Sequence, residues 1–255
     1  MGLAIYRPEA HHALTYEYAG HDAGCCGHNL ASACHWLLGE PLKAETHARE
    51  SLDLALKLGH RSTLLESFFM GLVLGTMTRD VSRVQAAATG ETYPSLEEMS
   101  QDALDLYLEG TIGIRGWVAF QRGDKTQGLE ALRDNIGPWL EGTTAWTVTF
   151  LTLGAEALGE AGAAGEALEV MDKLLAKIES NGMCWYEAEA HRVRAETLLR
   201  LDADNLDEAV DALKRSLAIS RRQRAKALEL RAATSLARLC ANQGRETEAK
   251  DLLVP

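Results

Sequence analysis

Apolar residues recur at three- and four-residue spacing through most of the chain, and short polar or glycine-bearing breaks interrupt them at even intervals. That spacing marks helices with one buried face. The clearest stretch runs from Trp185 to Leu253. Tyr186, Ala190, Val193, Thr197 and Leu201 stand at i, i+4, i+7, i+11 and i+15 of one helix. Asp202 to Asn205 breaks it, and Glu208-Ala209-Val210 opens a partner helix that continues to about Arg222. Ala227 to Gln243 repeats the first helix, Gly244 breaks it, and Glu248-Ala249 opens the next partner. The two Glu-Ala pairs are 40 residues apart. A fixed period of that size predicts stacked helical hairpins.

The rest of the chain carries the same punctuation. Asp22 is the predicted N-cap of a helix through Leu38, with Gly24 and Gly27 weakening its first turns. Pro41 suits the first turn of the helix Leu42–Leu58, and Gly59 its C-cap. Ser62 to Thr78 and a short polar helix to about Ala88 follow. Ser95-Leu96-Glu97-Glu98 reads as a capping-box start for a helix to Gln121. Gly110, Gly113 and Gly116 inside it predict close approach of a neighbouring helix. Helices are expected over Lys125–Leu140, Thr143–Ala161 and Glu166–Ser180. The hairpin turns fall near Gly39, Asp80, Gly123, Gly162, Ala203 and Gly244, spaced 39 to 43 residues apart.

The expectation is an all-α, α-α superhelix in one domain over residues 1–255, right-handed, more than 70% helical and without a sheet. It comprises about six hairpins, near 22–58, 62–90, 95–141, 143–181, 183–222 and 225–254. Residues 1–20 are irregular, with a short helix over Glu9–Tyr18. The last helix is apolar along Ala249, Leu252 and Leu253, so this end is expected to self-associate or to continue in the native protein.

Composition narrows the function classes. The net charge of −11 argues against unselective nucleic-acid binding, which needs cations to displace phosphate counterions. No stretch approaches twenty uncharged apolar residues, and no secretory leader is visible, so neither a membrane span nor export is expected. Five scattered cysteines suit a reducing, cytoplasmic setting. There is no Gly-x-x-x-x-Gly-Lys-Ser/Thr phosphate loop and no Gly-x-Ser-x-Gly elbow, and no enzyme activity or cofactor is expected.

The small-residue helices, Gly-x turns and Glu-Ala openings resemble tetratricopeptide repeats in a longer, forty-residue form. His21-Asp22-x-Gly24 with Cys26, Trp36-Leu37-Leu38-Gly39, Leu58-Gly59-His60, Gly116-Trp117 and Trp185-Tyr186-Glu187-Ala188-Glu189 make the likeness more specific. So do His191-Arg192, the run Leu228–Leu239 and Gln243-Gly244-Arg245. Together they resemble the C-terminal repeat region of bacterial proteins that join a class III adenylate/guanylate cyclase and an AAA-type ATPase to such repeats. The resemblance covers roughly residues 11–255 and implies a tetratricopeptide-like solenoid. It implies a non-catalytic interaction or sensing module, a fragment or a stand-alone derivative of such a regulator, since the family's chemistry resides in domains absent here.

Four groups of residues are candidates for function. From Ala212 to Arg245 there are nine basic residues and one acid, a net +8 that leaves −19 for the remainder. Arg221, Arg222, Arg224 and Arg231 could dock an acidic protein surface; the competing reading is helix-end cations and pairs with the previous repeat. Trp117, Trp146, Trp185 and Tyr186, with Trp36, lie on first helices of hairpins and could hold a peptide or small ligand, or pack between helices. Glu189 and Arg192 read as a surface or inter-repeat ion pair. His21, Cys25, His28 and His35 are candidate metal ligands within a wider set that includes His11, His12, Cys26 and Cys34. Asp22 as N-cap would leave His21 outside the helix, so packing is the expected role and no metal is assigned. The partner expected is a protein or peptide, another domain of the same signalling protein among the candidates, with a small-ligand or metal receptor as the alternative.

Overall fold

The computed structural model describes residues 2–18, 20–89, 101–142 and 145–254, without the side chains of residues 18, 89 and 101–110. Of the described residues 86% are helical, and none is in a strand. The fold is all-α, as the periodicity predicts. No described helix is long and apolar enough to cross a membrane. The helices cluster into two compact units, residues 1–118 and 119–255.

The first unit opens with a single-turn helix, α1 (Gly2–Ile5), and then a helical run in the place of the short helix expected over Glu9–Tyr18: α2 (Pro8–His11), a 3₁₀ turn over His12–Leu14 and α3 (Thr15–Tyr18). Then come α4 (Ala23–Leu37), α5 (Pro41–Leu58), α6 (Arg61–Thr78), α7 (Val81–Thr89) and α8 (Gln101–Gln121), whose last turn enters the second unit. Asp22 caps α4, accepting from the backbone N–H of Gly24 at 2.8 Å and Cys25 at 3.2 Å. Gly59 closes α5 at φ +62°, a conformation an L side chain adopts only at a cost. The glycines that weaken the start of α4 have a packing reason. A Cβ on Gly24 would stand 2.5 Å from the Tyr6 ring, and one on Gly27 would stand 2.9 Å from Leu3. They let α1 lie against α4. Cys25, Ala55, Leu64 and Phe68 form the buried centre here, and Ser32 Oγ donates to the Ala44 carbonyl at 2.8 Å, fixing the register of α4 on α5. The proposed capping box at 95–98 lies outside the described residues; Gly113 and Gly116 of α8 are buried.

The second unit holds α9 (Lys125–Glu141), α10 (Thr147–Glu160), α11 (Ala164–Asn181), α12 (Glu187–Leu201), α13 (Leu206–Gln223), α14 (Lys226–Asn242) and α15 (Glu246–Asp251). Each packs on the next, and α12 also touches α10 and α14, so the first helices of successive hairpins share one layer. Ala195, Leu198, Ala209, Leu213, Leu217, Ala232, Leu236 and Cys240 form its core. Burying each leucine stabilises by about 1.5–3 kcal/mol. Ser216 Oγ on α13 donates to the Ala188 carbonyl of α12 at 2.6 Å, as Ser51 on α5 donates to the Cys25 carbonyl of α4 at 3.2 Å in the first unit. The helix expected from Trp185 begins instead with a 3₁₀ turn over Cys184–Tyr186.

Candidate functional site

The layer shared by α10, α12 and α14 carries a chain of charges through a largely buried surface. Glu189 is 1% exposed, and Arg192 one turn later is 7% exposed. Arg192 Nε and Nη2 donate to Glu189 at 3.0 and 2.9 Å, its Nη2 also reaches Glu156 on α10, and its Nη1 stands 2.7 Å from Glu196. Arg231 on α14 donates to Glu189 at 2.9 Å, and Ser235 to Glu196 at 2.7 Å. Burial alone would lower the Arg192 pKa; the carboxylates of Glu189 and Glu156 instead hold it well above the ordinary arginine value. The pair read as a surface or inter-repeat bridge is therefore the centre of a buried network across three repeats. Arg231, a candidate docking residue, is committed to it.

The other basic candidates sit at the turn between α13 and α14. Arg221 pairs with Glu229 at 3.0 Å, and Lys226 shares that carboxylate at 2.7 Å. Arg222 and Arg224 are exposed, and among the described residues their guanidinium groups make no hydrogen bond or ion pair. Arg224 is the C-cap of α13 with φ 58°, the left-handed conformation that Gly59 and Gly182 supply at other helix ends. Arg79 has the same conformation, but its Nη1 donates to the Thr76 carbonyl at 2.6 Å.

The aromatic candidates divide. Trp36, Trp117 and Tyr186 are buried, which favours packing between helices over holding a ligand, the other of the two readings open for them. Their large apolar area is spent on packing. Trp146 and Trp185 are half-buried and meet edge-to-face with centroids 5.2 Å apart, and Trp185 Nε1 donates to the Ala145 carbonyl at 3.0 Å.

The histidine–cysteine candidates are not one cluster. Cys25 is fully buried, and burial with the nearby Asp22 charge pushes its thiol up to about 12. All five cysteines are free. His21 precedes the cap and borders an apolar hollow of about 340 Å³ with Leu3, Ile5 and Leu14. His28 and His35 face α5. His28 Nδ1 lies 2.9 Å from His47 Nδ1 and 3.1 Å from Glu50 Oε2, while His47 Nδ1 lies 3.3 Å from the same oxygen. His35 stacks on His47, centroids 5.2 Å and planes 9° apart, and bonds Glu40 at 2.5 Å. Among the described residues this is the one group of three or more histidine, cysteine or carboxylate side chains with converging ligand atoms. His47 and Glu50 were missed in the sequence, although their i, i+3 spacing on a helix antiparallel to α4 was the available signal.

A groove of about 700 Å³ also escaped the sequence reading. It lies over α11, α12 and α13 and is lined by Glu179, Cys184, His191, Arg194, Asp211 and Arg215, among others. Arg194 is held by Asp172 at 2.7 Å and Glu208 at 2.8 Å. Burial, then Arg215 and Arg194, lower the His191 pKa to about 4, so the imidazole is neutral near pH 7.

No known family model matches the chain. It is 26% identical over 242 residues to the uncharacterized protein R02095 of Rhizobium meliloti (strain 1021). The match covers 93% of this chain and 23% of that protein, so the chain spans about a quarter of the relative's length.

Proposed function

We propose that this chain is a non-catalytic repeat module that binds an acidic protein or peptide segment, in the regulatory region of a bacterial cytoplasmic signalling protein of the cyclase–ATPase kind. The hairpin architecture supports the repeat assignment, and the motif resemblance supports the signalling context. A relative about four times as long as the matched stretch fits a module carried by a larger protein. The observation that carries the binding assignment is the α13–α14 turn. Arg224 keeps a side chain where glycine would be cheaper, and its guanidinium, like that of Arg222, meets no partner among the described residues. Backbone strain that serves no internal contact marks a residue retained for an external one. A planar guanidinium matches a carboxylate pair in a bidentate fork.

The test is capture from extract of the source cell, with cross-linking and mass spectrometry to map contacts. Arg222→Glu/Arg224→Glu is expected to lose most of the captured acidic partner while helicity and melting stay unchanged. Capture by the parent chain should fall steeply with salt, since exposed charges are screened over about 8 Å at physiological ionic strength. Salt-independent capture by the double variant would leave this turn as a solvated face.

A further inference from the structure

Two imidazoles and a carboxylate converge on one point between α4 and α5. Nδ1 of His28, Nδ1 of His47 and Oε2 of Glu50 form a triangle with edges of 2.9, 3.1 and 3.3 Å. Ligand atoms about 2.0–2.2 Å from a tetrahedral zinc ion stand roughly 3.3 Å from one another. The triangle is close to one face of such a tetrahedron. A cation seated roughly 1 Å above its plane would be within bonding distance of all three atoms.

The chemistry of the group asks for a cation. Three atoms with lone pairs face each other, and two neutral imidazoles supply at most one proton to each Nδ1 position. Hydrogen bonds can satisfy part of the triangle, whereas a divalent ion satisfies all of it at once. Rigid elements hold the donors. The Ser32–Ala44 hydrogen bond locks the two helices about one turn from His28 and His47, and the His35 ring stacks flat on His47. Each side chain keeps partial access to solvent, 20% for His28, 23% for His47 and 48% for Glu50, which leaves an entry path and an open position.

We propose that His28, His47 and Glu50 form a binding site for one divalent transition-metal ion of the zinc class, with a fourth position open to water or an external ligand. The nitrogen-rich, thiolate-free set favours zinc, cobalt or nickel over magnesium or calcium, which take oxygen ligands. The site is independent of the basic turn at α13–α14.

The test uses the full chain, stripped with a chelator and titrated with zinc chloride or cobalt chloride alone. One equivalent is expected to bind, with a tetrahedral cobalt visible spectrum and no thiolate charge-transfer band. His28→Ala, His47→Ala and Glu50→Gln should each weaken binding at least tenfold, while Cys34→Ser and His11→Ala leave it unchanged. A thiolate band in the parent chain would move the ion to a cysteine and overturn the assignment, as would undiminished one-to-one binding by a folded His28→Ala/His47→Ala variant. The parent spectrum decides the matter even if a variant fails to fold. Failure of magnesium to compete is expected; equal affinity for magnesium would also overturn it.

Discussion

Arg231 on α14 donates from Nη1 to Oε1 of Glu189 on α12 at 2.9 Å, across 42 positions of sequence. Glu189 is buried and also holds Arg192, so one carboxylate ties adjacent repeats together. Leaving a buried charge wholly unpaired costs about 3–5 kcal/mol; Arg192 would keep Glu156 and Glu196, so loss of Glu189 is expected to cost less than that but more than loss of a surface pair. Glu189→Ala is therefore expected to lower the urea midpoint. Arg133→Ala, which breaks the exposed pair with Glu166, should change stability by no more than about 1 kcal/mol. Chemical denaturation of both variants checks the contrast; equal effects would mean that the network adds nothing beyond a surface bridge.

Arg224 gives a prediction that separates stability from binding. The left-handed conformation costs a non-glycine residue roughly 1 kcal/mol or more relative to glycine. Arg224→Gly is expected to keep or raise the melting temperature while weakening partner capture. Arg79→Gly should gain less, because it gives up the hydrogen bond to the Thr76 carbonyl. A drop in melting temperature for Arg224→Gly would show that the arginine is retained for folding.

The elements were legible because helices report a buried face by spacing alone. The predicted limits of α5, α6 and α9 agree with the structure to within a residue or so, and the Asp22 cap and Gly59 stop follow from local backbone chemistry. The sites were less legible because they are made between helices. Nothing in the one-dimensional pattern states that His28 meets His47 rather than Cys25, since that depends on how α4 rolls against α5. Trp117 and Tyr186 show the same limit. An aromatic on the first helix of a hairpin can face the groove or the neighbouring helix, and periodicity does not distinguish the two. Glu189 and Arg192 read as no more than a surface or inter-repeat pair because charged side chains seldom survive burial without several partners, and those partners lie in other repeats.

His191 supplies a pH test. Its folded pKa is lowered to about 4, chiefly by burial and then by Arg215 and Arg194; Glu187 at 3.9 Å is its nearest acid. The unfolded chain binds a proton near pH 6.5, while the folded chain resists it until about pH 4. The unfolded state is thus increasingly favoured as pH falls through about 6.5 toward 4, and the effect fades about one pH unit above 6.5. The loss between pH 7 and pH 5 is at most about 2 kcal/mol. Other groups titrate in the same window, so the readout is a difference. His191→Gln is expected to lose less melting temperature than the parent chain between pH 7 and pH 5. Parallel losses would place the imidazole in a more solvated setting.

Asp22 joins local capping to the packing of the first unit. Its carboxylate is fully buried and accepts from Gly24, Cys25, the Tyr6 hydroxyl at 2.8 Å and His12 Nδ1 at 2.8 Å. Its own N–H donates to Thr63 Oγ1 on α6 at 2.8 Å. Burial alone would raise its pKa; the hydrogen bonds from His12, Tyr6 and the two backbone amides outweigh it and hold the group below the usual carboxylate range. Its stabilisation is present above about pH 4 and disappears as pH falls through the lower folded value. Asp22→Ala removes a cap worth about 0.5–2 kcal/mol and leaves buried donors unpaired at about 1–3 kcal/mol more. The first turn of α4 should then open more often. Cys25 reports on that opening, because its thiol is buried and held up to about 12, and so reacts only when α4 frays. Position-resolved thiol labelling near pH 8 should show Cys25 reacting at least tenfold faster in Asp22→Ala than in the parent chain. Cys240, buried in the second unit, should keep its rate, and Asp22→Asn, which loses the charge that raises the Cys25 thiol but retains one capping oxygen, should fall between and so separate fraying from the direct effect of the charge. Equal acceleration at Cys25 and Cys240 would mean global unfolding, and an unchanged Cys25 rate would mean that Tyr6 and Thr63 hold the end of α4 without the cap.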